Sequence, residues 1–106
     1  MTRALGIAGA AVALALCGCG GVDAAPGVRA ADFRFAPATM HVHAGTTVEW
    51  RNSGHTDHSV KGLDFFSRAV PPGARYTHRF DKPGTYRYFC TLHPDAMTGV
   101  VVVDPP

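Results

Sequence analysis

With 106 residues, 46% of them hydrophobic and 17% charged, the chain has room for one small domain. Ten Lys and Arg against eight Asp and Glu leave a formal net charge of +2, and no block of like charge interrupts the sequence. The basic stripe that neutralises phosphates is therefore missing, which excludes nucleic acid as the partner.

In chain order, residues 1–19 come first. Arg3 is followed by an unbroken small and apolar run from Ala4 through Leu16, too short to span a bilayer and laid out as an export signal. Leu16-Cys17-Gly18-Cys19 has the shape of a bacterial lipoprotein processing site, with leucine three residues before Cys19 and small Gly18 directly before it. Modification of Cys17 would instead put bulky Leu16 where a small side chain is required. The reading is a protein acylated at Cys19 and anchored to the outer face of the cytoplasmic membrane. The alternative is ordinary cleavage, which releases it to the periplasm or the exterior. Residues 20–27 form a small-residue linker that reaches about 26 Å when extended, and the domain proper is expected over residues 28–104.

Within that domain, Val28 to Phe35, Met40 to Val42 and Thr46 to Asn52 alternate or cluster as strands do, with turns at Ala44-Gly45 and Asn52-Ser53-Gly54. Val48 and Trp50 share one face and Glu49 and Arg51 the other. Pro71-Pro72-Gly73 and Asp81-Lys82-Pro83-Gly84 mark two further turns. Ala74 to Phe80 and Thr85 to Cys90 are the strands beside them, and Tyr86, Tyr88 and Cys90 fall on one inward face. The β-branched run Val100 to Val103 suits a buried closing strand. About seven short strands at this spacing predict an all-β fold, an antiparallel Greek-key β-sandwich. A domain this small gains materially from a bound metal.

Once the signal is removed and Cys19 acylated, Cys90 is the one free thiol, and no intrachain disulfide can form. Tyr88-Phe89-Cys90-Thr91-Leu92-His93-Pro94-Asp95-Ala96-Met97-Thr98-Gly99 places a thiolate, an imidazole and a thioether on one short loop between strands. Cys-x-x-His alone is a weak signal, and an isolated cysteine is as often an inert buried thiol. Met97, Pro94 after His93 and the exit into an all-β run strengthen it. The fourth donor comes from elsewhere: His58 stands 32 residues before Cys90 and after the strand ending at Asn52, with His55 as its competitor three residues earlier. Two imidazoles and a thiolate with a distant thioether form the ligand field that suits copper cycling between Cu(I) and Cu(II). Zinc would accept the nitrogen and sulfur donors, but the thioether makes it a poor physiological metal.

These residues resemble the cupredoxin family, specifically its small plastocyanin-like and amicyanin-like blue copper members. The marks are Phe33-x-Phe35-x-Pro37, Val42-x-x-Gly45-Thr46-Thr47-Val48-x-Trp50-x-Asn52, His58-Ser59-Val60, Pro72-Gly73, Phe80-x-x-Pro83-Gly84-x-Tyr86-x-Tyr88-x-Cys90-x-x-His93-Pro94 and Met97-x-Gly99. They cover about Val28 to Val103. The resemblance implies equatorial ligands His58, Cys90 and His93, with Met97 axial to a single type 1 copper ion. His58, not His55, begins the His-Ser-Val pattern. The family often has Asn where Ser59 stands, and the backbone N–H of Ser59 is expected to point at the Cys90 sulfur, with Thr91 and Pro94 also beside the ligands. The outer edge of His93 is implied as the electron port, ringed by Leu92, Pro94, Ala96 and Met40. An aromatic at the position of Phe89 lines a second electron route in some relatives, with simple packing as the default.

The functional expectation is a monomeric one-electron carrier that docks transiently with a redox protein at the membrane, and is not itself an enzyme, since four donors leave no open metal position. The rival is a copper capture and delivery protein for another cuproenzyme, using His41, His43 and His55 as auxiliary sites. His41 and His43 otherwise read as solvated neighbours on one strand face, and His78 as an exposed strand residue.

Overall fold

The computed structural model describes residues 25–106, so the expected export signal, Cys19 and residues 20–24 of the expected linker lie outside the described residues. The described chain forms eight strands: β1 Gly27–Ala31, β2 Arg34–Ala36, β3 Thr39–His43, β4 Thr46–Asn52, β5 Lys61–Gly62, β6 Arg75–Phe80, β7 Gly84–Phe89 and β8 Thr98–Asp104. They make two four-stranded sheets, ordered β2-β1-β4-β6 and β3-β8-β7-β5. The all-β sandwich is as expected. Each sheet, however, is mixed, with β1 parallel to β4 and β3 parallel to β8. The chain changes sheets between β2 and β3 and again between β3 and β4. Each sheet therefore contains one pair of neighbours that are not consecutive in sequence and run in the same direction, β1 with β4 and β3 with β8.

Two boundaries differ for local reasons. The expected strand from Val28 to Phe35 is two strands, because Asp32 and Phe33 turn the chain and Phe33 takes a positive φ of 70°, a conformation uncommon outside glycine. The two-residue β5 pairs only Lys61 with Phe89 and Gly62 with Tyr88, too short a run to leave a periodicity signal.

Between the sheets, alternation places Val48 and Trp50 of β4, Tyr88 of β7, and Val101 and Val103 of β8 inside, all 3% exposed or less. Full burial of each such aliphatic side chain contributes about 1.5–3 kcal/mol. Trp50 sits at the centre of an aromatic cluster, edge-to-face with Tyr88 at 5.4 Å and flanked by Tyr76, Phe65 and Phe80. His78 joins this cluster from the edge: its ring stacks on Phe65 at 4.7 Å, so it is half-buried and not the exposed strand residue expected. Gly99 faces Tyr88 across the β7–β8 pairing, and a Cβ there would collide with the phenol ring, which explains why the chain needs glycine at that place.

The Tyr88 hydroxyl and the Trp50 Nε1–H are buried without a well-formed hydrogen bond. Burial pushes the Tyr88 phenol above its ordinary value, and the nearby indole N–H opposes this only in part. The folded state thus favours the neutral phenol. That contribution is complete below about pH 10, the ordinary tyrosine value, and is lost as pH rises through the raised folded-state value. Urea midpoints should hold up to about pH 10 and fall above it, and Tyr88→Phe should make the fall shallower; Tyr76, also raised by burial, retains part of it.

Candidate metal centre

Cys90 follows β7 directly. Since Tyr88 points inward, the strand period carries Cys90 inward as well, to 0% exposure. The loop from Cys90 to Met97 closes on itself through its own backbone. Cys90 N–H donates to Met97 C=O at 3.0 Å, His93 N–H to Cys90 C=O at 3.2 Å, and Ala96 and Met97 N–H both donate to His93 C=O at 3.2 and 3.0 Å. These bonds put Met97, 0% exposed, beneath the loop, and His93 half-buried at its outer side.

His58 arrives from the connection between β4 and β5. Its backbone exchanges hydrogen bonds with Val70, receiving Val70 N–H at 2.7 Å and donating to Val70 C=O at 3.2 Å. Asn52, buried at the end of β4, organises the approach: its Nδ2 donates to Val70 C=O at 2.7 Å and Thr56 C=O at 2.8 Å, while its Oδ1 accepts Gly54 N–H at 2.8 Å. The residue that reads in sequence as the first member of a turn is thus a buried polar knot holding the whole 53–58 loop.

The two segments meet at the sulfur. His58 Nδ1 lies 4.0 Å from Cys90 Sγ, and the Ser59 backbone N–H points at that sulfur from 3.3 Å. Ser59 Oγ accepts the Thr91 N–H at 2.8 Å and bonds the Thr91 hydroxyl at 2.7 Å, tying the loops together one residue beyond each candidate ligand. The rings of His58 and His93 meet edge to face, with centroids 5.4 Å apart and planes inclined at 66°. Among the described residues, no three His, Cys, Asp or Glu side chains are already drawn into a metal cluster. His58 Nδ1 and Cys90 Sγ are the donor pair in contact, and the His93 ring lies against that of His58.

They nevertheless fit a metal ion. A separation of 4.0 Å between nitrogen and sulfur is shorter than the roughly 4.3 Å sum of a metal–nitrogen and a metal–sulfur bond, so one ion reaches both. His93 Nε2 is buried with no hydrogen-bond partner, and such an orphan costs stability unless something occupies it. Thiolate, imidazole and thioether together are the soft-to-borderline set that copper takes.

Residues outside the sequence-derived set also stand here. Asp32, in the β1–β2 turn, contacts His58 Nε2 at 3.2 Å and His55 at both its backbone N–H and its Nδ1. These bonds, the His55 N–H foremost, hold its carboxyl well below the usual carboxylate range. Phe33, the next residue, packs edge-on against His93 at 5.0 Å and is 56% exposed. With Leu92, 51% exposed, and exposed Pro94 and Ala96 it makes an apolar rim around His93. Met40 packs against the core from β3. His41 and His43 flank inward Val42 on the exposed face of β3, and His43 Nδ1 bonds Pro105 C=O at 3.1 Å. His55 is 92% exposed in its side chain and its ring turns to Asp32, not to the sulfur.

The model of the cupredoxin-like domain matches residues 7–103. The chain belongs to the cupredoxin-like family. This cupredoxin is 32% identical to a chloroplastic plastocyanin of Tetradesmus obliquus over 97% of its own length and 80% of that protein. A reduced Cu(I) form of an amicyanin variant superposes with a TM-score of 0.73 at 31% identity, covering 77% of this chain and 84% of the other. A Cu-containing nitrite reductase from Thermus scotoductus matches with a TM-score of 0.72 at 28% identity, over 78% of this chain but 23% of the enzyme. The fold therefore also occurs as one part of a larger enzyme.

Ser59→Ala removes the acceptor of the Thr91 N–H while leaving the backbone donor to the sulfur. It should lower the unfolding free energy of the metal-free domain by about 1 kcal/mol, measured by urea denaturation.

Proposed function

We propose that this cupredoxin holds one copper ion with His58, Cys90 and His93 as its close ligands and Met97 on the axis, and works as a one-electron carrier. The observation that carries this reading is the buried Cys90 sulfur, in contact with His58 Nδ1 and receiving the Ser59 N–H, beside a His93 nitrogen that is buried and has no partner. When bound, copper supplies a couple between Cu(I) and Cu(II) at one coordination centre. The chain's own residues do the rest. Met97 and Cys90, both 0% exposed, keep water from the sulfur side. The Ser59 N–H steadies negative charge on the thiolate, and the self-closed 90–97 loop keeps the donors from moving between oxidation states. His93 lies at the outer side with Phe33, Leu92, Pro94 and Ala96 around it. That apolar rim suits brief docking of a redox protein, whose weak encounters need little area.

The same proposal places the domain outside the cytoplasm, tethered through Cys19. Its support is the apolar run from Ala4 through Leu16 and the Leu16-Cys17-Gly18-Cys19 pattern, with Cys90 the one free thiol among the described residues. Four donors leave no position for substrate, which supports a carrier over a catalyst for this domain by itself.

Adding Cu(II) to the purified domain should produce an intense visible thiolate-to-copper band that saturates at one equivalent, and Cys90→Ser should abolish it. At a free copper concentration a hundred times the dissociation constant, the domain should gain about 2.7 kcal/mol of stability. A colourless titration would overturn the metal assignment. Stopped-flow mixing with a small redox partner should then show fast reversible transfer with the metal retained; ready loss of copper to a chelator would favour copper delivery over electron transport.

A further inference from the structure

Asp32 comes from the turn between β1 and β2, far in sequence from every candidate ligand, yet its carboxylate reaches the back of His58. Oδ1 lies 3.2 Å from His58 Nε2 and also accepts the His55 N–H at 2.9 Å, while Oδ2 lies 3.0 Å from His55 Nδ1. His58 is 1% exposed, so the nitrogen facing away from the sulfur depends on a protein partner, and this carboxylate is the one the structure gives it. Gly54 lies so close over the carboxylate that a Cβ there would collide with Asp32. The loop is thus shaped to let the carboxylate in.

Resting on the copper reading above, we propose that Asp32 is a positioning residue for the metal: it fixes His58 with its proton on Nε2 and its Nδ1 lone pair towards Cys90, and its negative charge favours the more highly charged copper state. The physical argument has two parts. A carboxylate can only accept, so the His58 nitrogen facing it must carry the proton, and the other nitrogen is left free to bind. A carboxylate behind a ligating imidazole raises the basicity of that ligand, and this stabilises Cu(II) more than Cu(I). The reduction potential is held lower than it would be without the charge. The neighbouring Phe33, edge-on to His93, makes the same turn touch both histidines, so one turn sets the orientation of both rings.

Two substitutions separate charge from position. Asp32→Asn retains an Oδ1 acceptor for His58 and for the His55 N–H but removes the negative charge. It should raise the reduction potential while leaving the His58 tautomer of the metal-free protein unchanged in nitrogen-15 NMR. Asp32→Ala removes the acceptor as well. The metal-free NMR spectrum should then show His58 as a mixture of tautomers, and Cu(II) affinity should fall about ten- to a hundredfold. Gly54→Ala, which displaces the carboxylate without altering it, should move the tautomer in the same direction as Asp32→Ala. The NMR readout needs no metal, so it stands even if copper fails to bind. Proton on Nδ1 in the unaltered protein would overturn the positioning role. Variants that lose only stability, with tautomer, affinity and potential unmoved, would reduce Asp32 to a structural cap on the 53–58 loop.

Discussion

One buried sulfur organises this molecule. Cys90 Sγ is removed from water and receives a backbone N–H from Ser59 and, more distantly, the Ser59 hydroxyl at 3.9 Å. A thiol so placed has little to hold it by itself, and both segments around it are built to meet there. The 90–97 loop folds back until its last residue bonds its first, and the 53–60 connection is pulled inward by Asn52 and Val70. Through Ser59 and Thr91 the two become one unit, although 31 residues separate Ser59 from Cys90. The sheets serve to bring these ends together: β4 delivers the first segment from one sheet, and β7 and β8 deliver the second from the other.

Much of this could be read in advance because it is local. Period-two alternation located β4, β6 and β7 to within a residue, and put Trp50, Tyr88 and Cys90 on inward faces. Glycine and proline pairs located the turns. The Cys90–Met97 spacing marked a loop whose geometry is internal, so short-range reasoning sufficed for it. For His58 the residues left His55 open, and the family pattern separated the two. In the structure the His55 ring turns outward to Asp32 and the His58 ring turns to the sulfur.

What escaped depends on partners distant in sequence. Asp32 and Phe33 read as the middle of a strand, because nothing nearby shows that a positive φ at Phe33 breaks the run and swings a carboxylate and an aromatic ring towards two histidines. Asn52 looked like the start of a turn, and its hydrogen bond to Val70, 18 residues away, cannot be inferred from composition. His78 reads as an exposed strand residue, but Phe65, from an irregular segment far from it in sequence, stacks on its ring. The parallel pairings arise from how the chain crosses between sheets, a property of the whole path that no window of residues contains.

The loop that begins at Cys90 and ends at Met97 carries its closing bonds within itself, since Met97 C=O accepts the Cys90 N–H and the two inner N–H groups bond His93. Its junction with the sandwich is therefore a narrow neck and not a broad seam. A lineage could lengthen or shorten the segment between the neck's two sides and alter how the thioether and the second imidazole are presented, while β7 and β8 below continue to pair unchanged. Frame and loop are thus separable in structure, because the ladder between β7 and β8 uses none of the hydrogen bonds that close the loop.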